Sequence, residues 1–319
     1  MKKRLKWLSV VVLTFSFAMV SMGCSKKTET KAPETKVETV ETESEEETEM
    51  ELVRVAADQE IVNIMLVGQD RRSNDSERQR SDAMILVTLN RRDNTVDLTS
   101  FMRDTYVEIP GWGGNRLNAA YVFGGIDLMN ETFMQNFGVK IDGVVEVDFY
   151  DFIEIIDEIG GVDVELYEEE IEVINNSSSK ENRLDGAGVH HLNGEQTLAY
   201  CRIRKVGNND FERTERQRKV LQQLFKNAKK MNTLQMLNVL DQVFELLNTN
   251  LTDDNLLNLM VEVMDMGIEK FENHNIPEDA GYTSQSVNGM SVLVPDLDAC
   301  RTLVQEIMGE TEEVLETNE

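Results

Sequence analysis

The spacing of apolar positions changes period along the chain and separates strands from helices. "IVNIMLVG", from Ile61, is a short apolar run closed by glycine, the pattern of a buried strand. "AMILVTLN" is a second such run. The turn "RRDN" follows it, and "TVDLTSFM" alternates as its hairpin partner. "GIDLMNETFMQNFG" has helical spacing, and "VVEVDFYDFIEIIDEIGGVDVEL" predicts strand, helix, a Gly-Gly stop and another strand. "LNGEQTLAYCRIR" predicts a helix running into an extended segment, and a long helix covers about Phe211 to Lys230. Two more helices fall on "TLQMLNVLDQVFELLNT" and "DDNLLNLMVEVMDMGIE". "TSQSVNGMSVLVPD" is a hairpin with Asn288-Gly289 as its turn, and "DLDACRTLVQEIMG" closes as a helix. Hairpin and crossover links occur together. They predict an α/β fold whose mixed sheet is covered by helices on both faces.

The chain opens "MKKRLKWLSVVVLTFSFAMVSMGCSKK": early cations, an apolar run, then small residues, as in an export signal. Trp7 to Gly23 is a little shorter than the ~20 residues that span a bilayer comfortably. The end of the run, "VSMGCS", is lipobox-like, with Cys24 as the lipidated residue; an uncleaved signal anchor is the alternative. Either reading places the rest outside the cytoplasmic membrane. Residues 25–57 are dominated by Lys, Thr, Glu and Ser. They hold too little apolar surface to offset ordering entropy, so they read as a disordered acidic spacer. Residues 58–309 form the folded domain, and 310–319 an acidic, disordered tail.

Composition narrows the partners. Among 319 residues, 59 Asp and Glu face 32 Lys and Arg, a net charge of −27, which excludes the broad basic face that nucleic acid requires. No CxxC spacing exists, and Cys201 and Cys300 read as small buried hydrophobes. Against this acidity, Arg202 to Lys219 holds seven basic residues and only three acidic ones.

Candidate chemistry gathers at strand ends. Asp70 follows the first strand, and Arg80 and Asp82 enter the second. If these strands are antiparallel, the two aspartates share one end of the sheet. There they are either surface and capping groups or an oxygen-only pair suited to Mg²⁺. Arg103 and Asp104, after the third strand, are either a local pair or part of the same cluster. If "YCRIR" is extended, Tyr200, Arg202 and Arg204 share a face, and two arginines there make an anion clamp. Asn209 or Asp210 is a natural N-cap for the next helix. On that helix Arg213, Gln217, Val220 and Leu224 form one stripe, while Arg218 points away as a solvated charge. An inward Arg213 calls for an anion, or for an internal network with Asp210 and Glu212. His190 and His191 lack partners at ligand spacing and read as structural, in a loop. The Met-rich helices from Met231 to Met266 read as core, or as the lining of a groove for a lipid chain.

These residues lie in a series of motifs: "GQDRRS", "RSDAMILVTL", "SFMRDTYVEIPG", "RLNAAYVFGG", "VDFYDFIEIIDEIGGVDVEL", "LNGEQTLAYCRIR" and "NDFERTERQRKVL". In this order they resemble the LytR-CpsA-Psr cell-wall enzymes of Gram-positive bacteria, from about Ile61 to Met308. The resemblance implies a three-layer α-β-α sandwich with a central mixed, largely antiparallel sheet and a long apolar tunnel. It implies an extracytoplasmic, membrane-anchored phosphotransferase that moves a glycopolymer, teichoic acid or capsule, from a polyprenyl-pyrophosphate carrier to peptidoglycan. By the same resemblance Asp70 and Asp82 are Mg²⁺-associated, Arg103, Arg202, Arg204 and Arg213 bind pyrophosphate, and Asp210 and Gln217 match motif positions, with Arg80 beside the metal. Arg116 stands where the family usually has lysine, Ala119 where it often has histidine, and "KVGNN" lacks the usual Gly-Asp pair. Asp210 and Asp82 are both candidates for a general base. Hydrolysis of the pyrophosphate, and a non-catalytic wall-glycan-binding lipoprotein, are the competing functions.

Overall fold

The computed structural model describes residues 52–69, 80–177, 182–207, 209–268 and 271–309. Cys24 with the export segment, Asp70 and the tail 310–319 lie outside the described residues. Ile61–Gln69 (β1) pairs antiparallel with Ser81–Asn90 (β2), and β2 antiparallel with Thr95–Phe101 (β3). Tyr106–Ile109 (β4) and Gly113–Arg116 (β5) form a small separate hairpin. Gly143–Asp148 (β6) runs parallel to β1. Asn248–Thr249 (β9) adds antiparallel to β6, and Glu272–Ile276 (β10) adds parallel to β3. The sheet order is therefore β10-β3-β2-β1-β6-β9, mixed as expected.

Period-two alternation gives this sheet two apolar faces. Met65, Val67, Met84, Leu86 and Phe101 pack on one side against Asn118–Phe137 (α1) and Leu297–Ile307 (α8). Phe101 meets Phe133 and Phe137 edge-on, with ring centroids at 4.7 and 5.0 Å. Val62, Ile85, Val87, Val96 and Leu98 face the other way, toward Asn209–Ala228 (α5) and Asp253–Asp265 (α7). At the β6–β9 end, Thr233–Leu246 (α6) contributes Phe244 to a smaller cluster on the same face. This is the α-β-α sandwich.

A further cluster sits beside the sandwich. It joins Phe149–Glu158 (α2), Val162–Leu166 (β7), Glu168–Ser177 (α3), Gly188–Leu192 (β8) and Gly194–Cys201 (α4) to α5. Asp148 caps α2 by accepting from the Tyr150 and Asp151 amides, and Asn193 caps α4 in a capping box with Gln196. The hairpin Tyr282–Val287 (β11) and Met290–Pro295 (β12) turns at Asn288-Gly289, both with positive φ.

Several elements differ from the sequence reading. The helix expected from Gly125 begins at Asn118, and Gly125, at φ 66°, kinks it from within. His190 and His191 lie on β8, where a loop was expected. His191 Nδ1 sits 2.8 Å from Asp163 on the paired strand, a structural role. Residues 52–57, assigned by composition to the spacer, are partly engaged: the Val53 amide donates to Asn250 O at 2.7 Å, and Val55 packs against the sheet. Cys201 and Cys300 are free and buried; burial pushes their thiols up to about 12 and about 11.

Gly161, between the C-cap of α2 and the start of β7, has φ +82°, and a Cβ there would meet Leu192 O at 2.6 Å. Gly161→Ala is expected to lower stability by about 1–3 kcal/mol. The measurement is a urea unfolding midpoint, with an unchanged slope showing that only stability moved.

Candidate active site

A cavity of about 560 Å³ lies between the sheet and helices α2, α4 and α5. Its two ends differ in chemistry. Asp82, Arg103, Arg202, Arg204, Arg213 and Gln217 line one end, while Leu66, Ile85, Val145, Leu221, Leu224 and Leu247 line the rest. Helix α5 forms a wall along both. At 3.6 residues per turn its stripe of Arg213, Gln217, Val220 and Leu224 faces the cavity, polar first and apolar after.

The charged end is a web of ion pairs. Arg103, just past β3, donates from Nη1 to Asp82 Oδ1 at 2.6 Å, at the start of β2. Its Nη2 lies 3.9 Å from Asp210 Oδ2. Arg204 reaches both aspartates, with Nη2 4.0 Å from Asp82 and Nε 3.7 Å from Asp210. Arg213, only 3% exposed, holds Nη1 3.0 Å from Asp210 Oδ1. That contact lacks hydrogen-bond alignment, so Arg213 Nε and Nη1, Arg103 Nε and Gln217 Oε1 remain buried polar atoms without a hydrogen-bond partner. Arg202 has a different support: its guanidinium lies 4.5 Å above the Phe149 ring.

Asp104 Oδ1 and Asp210 Oδ1 are likewise buried without a hydrogen-bond partner, so the web is charge-rich but poorly aligned within itself. Burial lowers the Arg213 pKa to about 10; Asp210 opposes this, and Arg103 and Arg204 add to it. For Arg103 burial also opposes the charge, but the attraction and hydrogen bond of Asp82, with Asp104 and Asp210, outweigh it and raise the pKa. Unpaired buried N–H groups beside like charges favour an anion, and planar guanidinium forks suit phosphate oxygens. Of the alternatives open in the sequence, the internal network is real in part. Asp210 joins it, but Glu212 pairs elsewhere, with Arg216 at 2.9 Å.

Two expectations need correction, and of the two readings of the Met-rich helices the groove lining falls away while the core reading stands for Met266. "YCRIR" is not a strand: α4 runs to Cys201, Arg202 is its C-cap, and Tyr200 is buried away from Arg202 and Arg204. Arg218 is not solvated. It is 4% exposed and donates to Ser100 Oγ at 2.5 Å and Asn275 Oδ1 at 2.8 Å, because the sheet covers that side of α5. No methionine of Met231 to Met266 lines the cavity; Met266 packs under the sheet. Arg80 is exposed before β2 and is not among the cavity's described lining residues. Asp70 lies outside the described residues, and among them no group of three or more His, Cys, Asp or Glu could hold a metal ion.

The LytR-CpsA-Psr family profile matches residues 16–308. The chain belongs to this family. Among LytR-CpsA-Psr relatives, a polyisoprenyl-teichoic acid–peptidoglycan teichoic acid transferase, TagU of Bacillus cereus, is 35% identical over 232 residues, 72% of each chain. A structure of TagT with bound octaprenyl pyrophosphate lipid superposes with a TM-score of 0.62 at 25% identity, covering 79% of this chain and 91% of that one. TagV of B. subtilis superposes with a TM-score of 0.65 at 28% identity, over 79% and 98%.

Phe149, Ser291 and Glu170 touch this LytR-CpsA-Psr site or its supports without any local signal in the sequence, whereas Asp104 reads there as a partner of Arg103 or a member of the cluster and is both. Phe149, under Arg202, comes from α2. Asp104 extends the web outward to Arg116 Nη1 at 3.3 Å, and Arg116 donates from Nε and Nη2 to Ser291 O at 3.0 and 2.6 Å. Arg216 donates from Nε to Glu170 of α3 at 2.7 Å, both side chains nearly fully buried. Arg216→Ala would strand the Glu170 carboxylate, and is expected to destabilise the fold by about 3–5 kcal/mol in urea titration.

Proposed function

We propose that this chain is an extracytoplasmic phosphotransferase that moves a glycopolymer from a polyprenyl-pyrophosphate carrier to peptidoglycan, forming a phosphodiester. The observation that carries this reading is a single cavity, arginine-rich at one end and apolar along the rest, which matches an amphipathic lipid pyrophosphate. The TagT structure with octaprenyl pyrophosphate and the TagU transferase name support it. Anchoring falls to Cys24, lipidated, or to an N-terminal helix.

Arg103, Arg204 and Arg213 would face the pyrophosphate oxygens, with Arg202 steadied by Phe149. Leu224 and its apolar neighbours would hold the prenyl chain. An acceptor hydroxyl of peptidoglycan attacks the sugar-side phosphorus. The bond from that phosphorus to the bridging oxygen breaks, and polyprenyl phosphate leaves. The hydroxyl proton passes to Asp82, which lines the cavity, or to Asp210, which sits against Arg204 and Arg213 beside it. The chain contributes position and charge stabilisation, as phosphoryl transfer generally requires.

The donor chemistry fits Mg²⁺, which is commonly held by one or two carboxylates together with phosphate oxygens and water. Asp82, with Asp70, would hold it. Bound there, the ion would neutralise phosphate charge.

The test is transfer of a labelled lipid-linked glycan to peptidoglycan. Arg202→Ala with Arg204→Ala is expected to slow it on the order of 10²-fold or more. Full transfer in that variant would overturn the clamp, and release of free glycan phosphate irrespective of acceptor would make the enzyme a hydrolase. Leu224→Trp, which fills the apolar part, should raise KM for long prenyl carriers and spare short ones, measured across a chain-length series.

A further inference from the structure

We infer that the corner between α5 and α6 is a docking surface for an anionic lipid bilayer, and that the chain stands on the membrane with the apolar end of its cavity downward. The inference rests on the lipid-carrier reading of that cavity and goes beyond it.

From Arg216 to Leu240 the folded domain has no acidic residue, although the chain carries −27 overall. Lys226, Lys229 and Lys230 lie in this stretch at the end of α5. Lys229 and Lys230 donate to Ile268 O and Asn227 Oδ1, and among the described residues no carboxylate pairs with any of the three lysines. Directly after them, the first turns of α6 present Leu234 at 70% and Leu237 at 51% exposure, one turn apart on one face. Lysines beside exposed leucines at one corner match the chemistry of a headgroup layer over acyl chains.

Continuity with the cavity points to a bilayer as the occupant. Leu221 and Leu224, immediately before the lysines, line its apolar part, and so does Leu247 at the far end of α6. Helix α5 is thus a cavity wall, and the residue that caps α6 reaches the same cavity. Arg213 is separated from Lys226 by about 20 Å of helix, at ~1.5 Å per residue. With the lysines on the bilayer, the prenyl chain keeps its tail toward the membrane and the pyrophosphate is lifted toward the wall.

The test uses the full chain in nanodiscs of phosphatidylcholine, or of phosphatidylcholine and phosphatidylglycerol in equal parts, followed by hydrogen exchange over 226–240. Exchange there is expected to be slower in the anionic discs. K226Q/K229Q/K230Q should abolish that difference, since each lysine contributes roughly fivefold to anionic-surface binding. L234S/L237S should remove the protection and slow uptake of octaprenyl pyrophosphate from vesicles, while leaving its affinity in detergent unchanged. Equal exchange of the wild type in both discs would overturn the docking surface. Protection that follows protein concentration instead of lipid charge would also overturn it, in favour of a second copy. Failure of the wild type to bind octaprenyl pyrophosphate in detergent would instead sink the lipid reading of the cavity.

Discussion

Helix α5 must hold Arg213 almost fully buried beside Arg103 and Arg204, and most of the surrounding architecture follows from that constraint. Desolvation and like charge both oppose the arrangement. Asp210, one turn before Arg213, offsets part of it, and Asp82 stabilises Arg103 from the sheet side. Neither carboxylate satisfies every buried donor. The cluster persists only because its members are fixed from several directions: Asp82 by β2, Arg103 by the end of β3, Arg202 and Arg204 by the exit of α4.

Helix α5 is itself held by arginines on its other faces. Arg216 ties it to Glu170 of α3, and Arg218 ties it to Ser100 of β3 and Asn275 of β10. The two differ energetically. Arg216 meets a buried carboxylate, whereas Arg218 has only neutral acceptors, and burial lowers its pKa to about 10, with Glu215 opposing. Together they orient the helix so that the remaining stripe, Arg213 to Leu224, faces the cavity. Misplacing this one helix would move the charged end and the apolar wall together.

The legible part of this arrangement is the part written in local periodicity. The hairpin of β2 and β3, the Gly-Gly stop after α2 and the α5 stripe all depend on neighbours within a few turns. Arg218 was misread because a helical wheel gives its angle from the cavity but not what lies at that angle; here it is the sheet. "YCRIR" was misread because burial alternates from Cys201 to Arg204, as in a strand, while the backbone is leaving a helix through its C-cap. Phe149 beneath Arg202, and Glu170 opposite Arg216, are contacts across the chain, and no spacing rule encodes them.

The acidity of the whole chain has a role consistent with the proposed basic docking corner. In the proposed docking, the net charge of −27 over the whole chain would oppose approach of anionic headgroups in most orientations, and attraction at Lys226, Lys229 and Lys230 would favour one pose. Repulsion elsewhere adds to the specificity of a weak contact, in the way that disfavouring wrong partners sharpens any interface. The acidic residues of α6, Asp241 and Glu245, continue the exposed side of the helix beyond Leu234 and Leu237. Contact is thereby limited to the first turns of α6. The same bias toward one end of α5 that places leucines after arginines in the cavity also places lysines after the leucines. In the proposed docking, a single helix would run from the reacting phosphates, past the prenyl chain, to the membrane that supplies it.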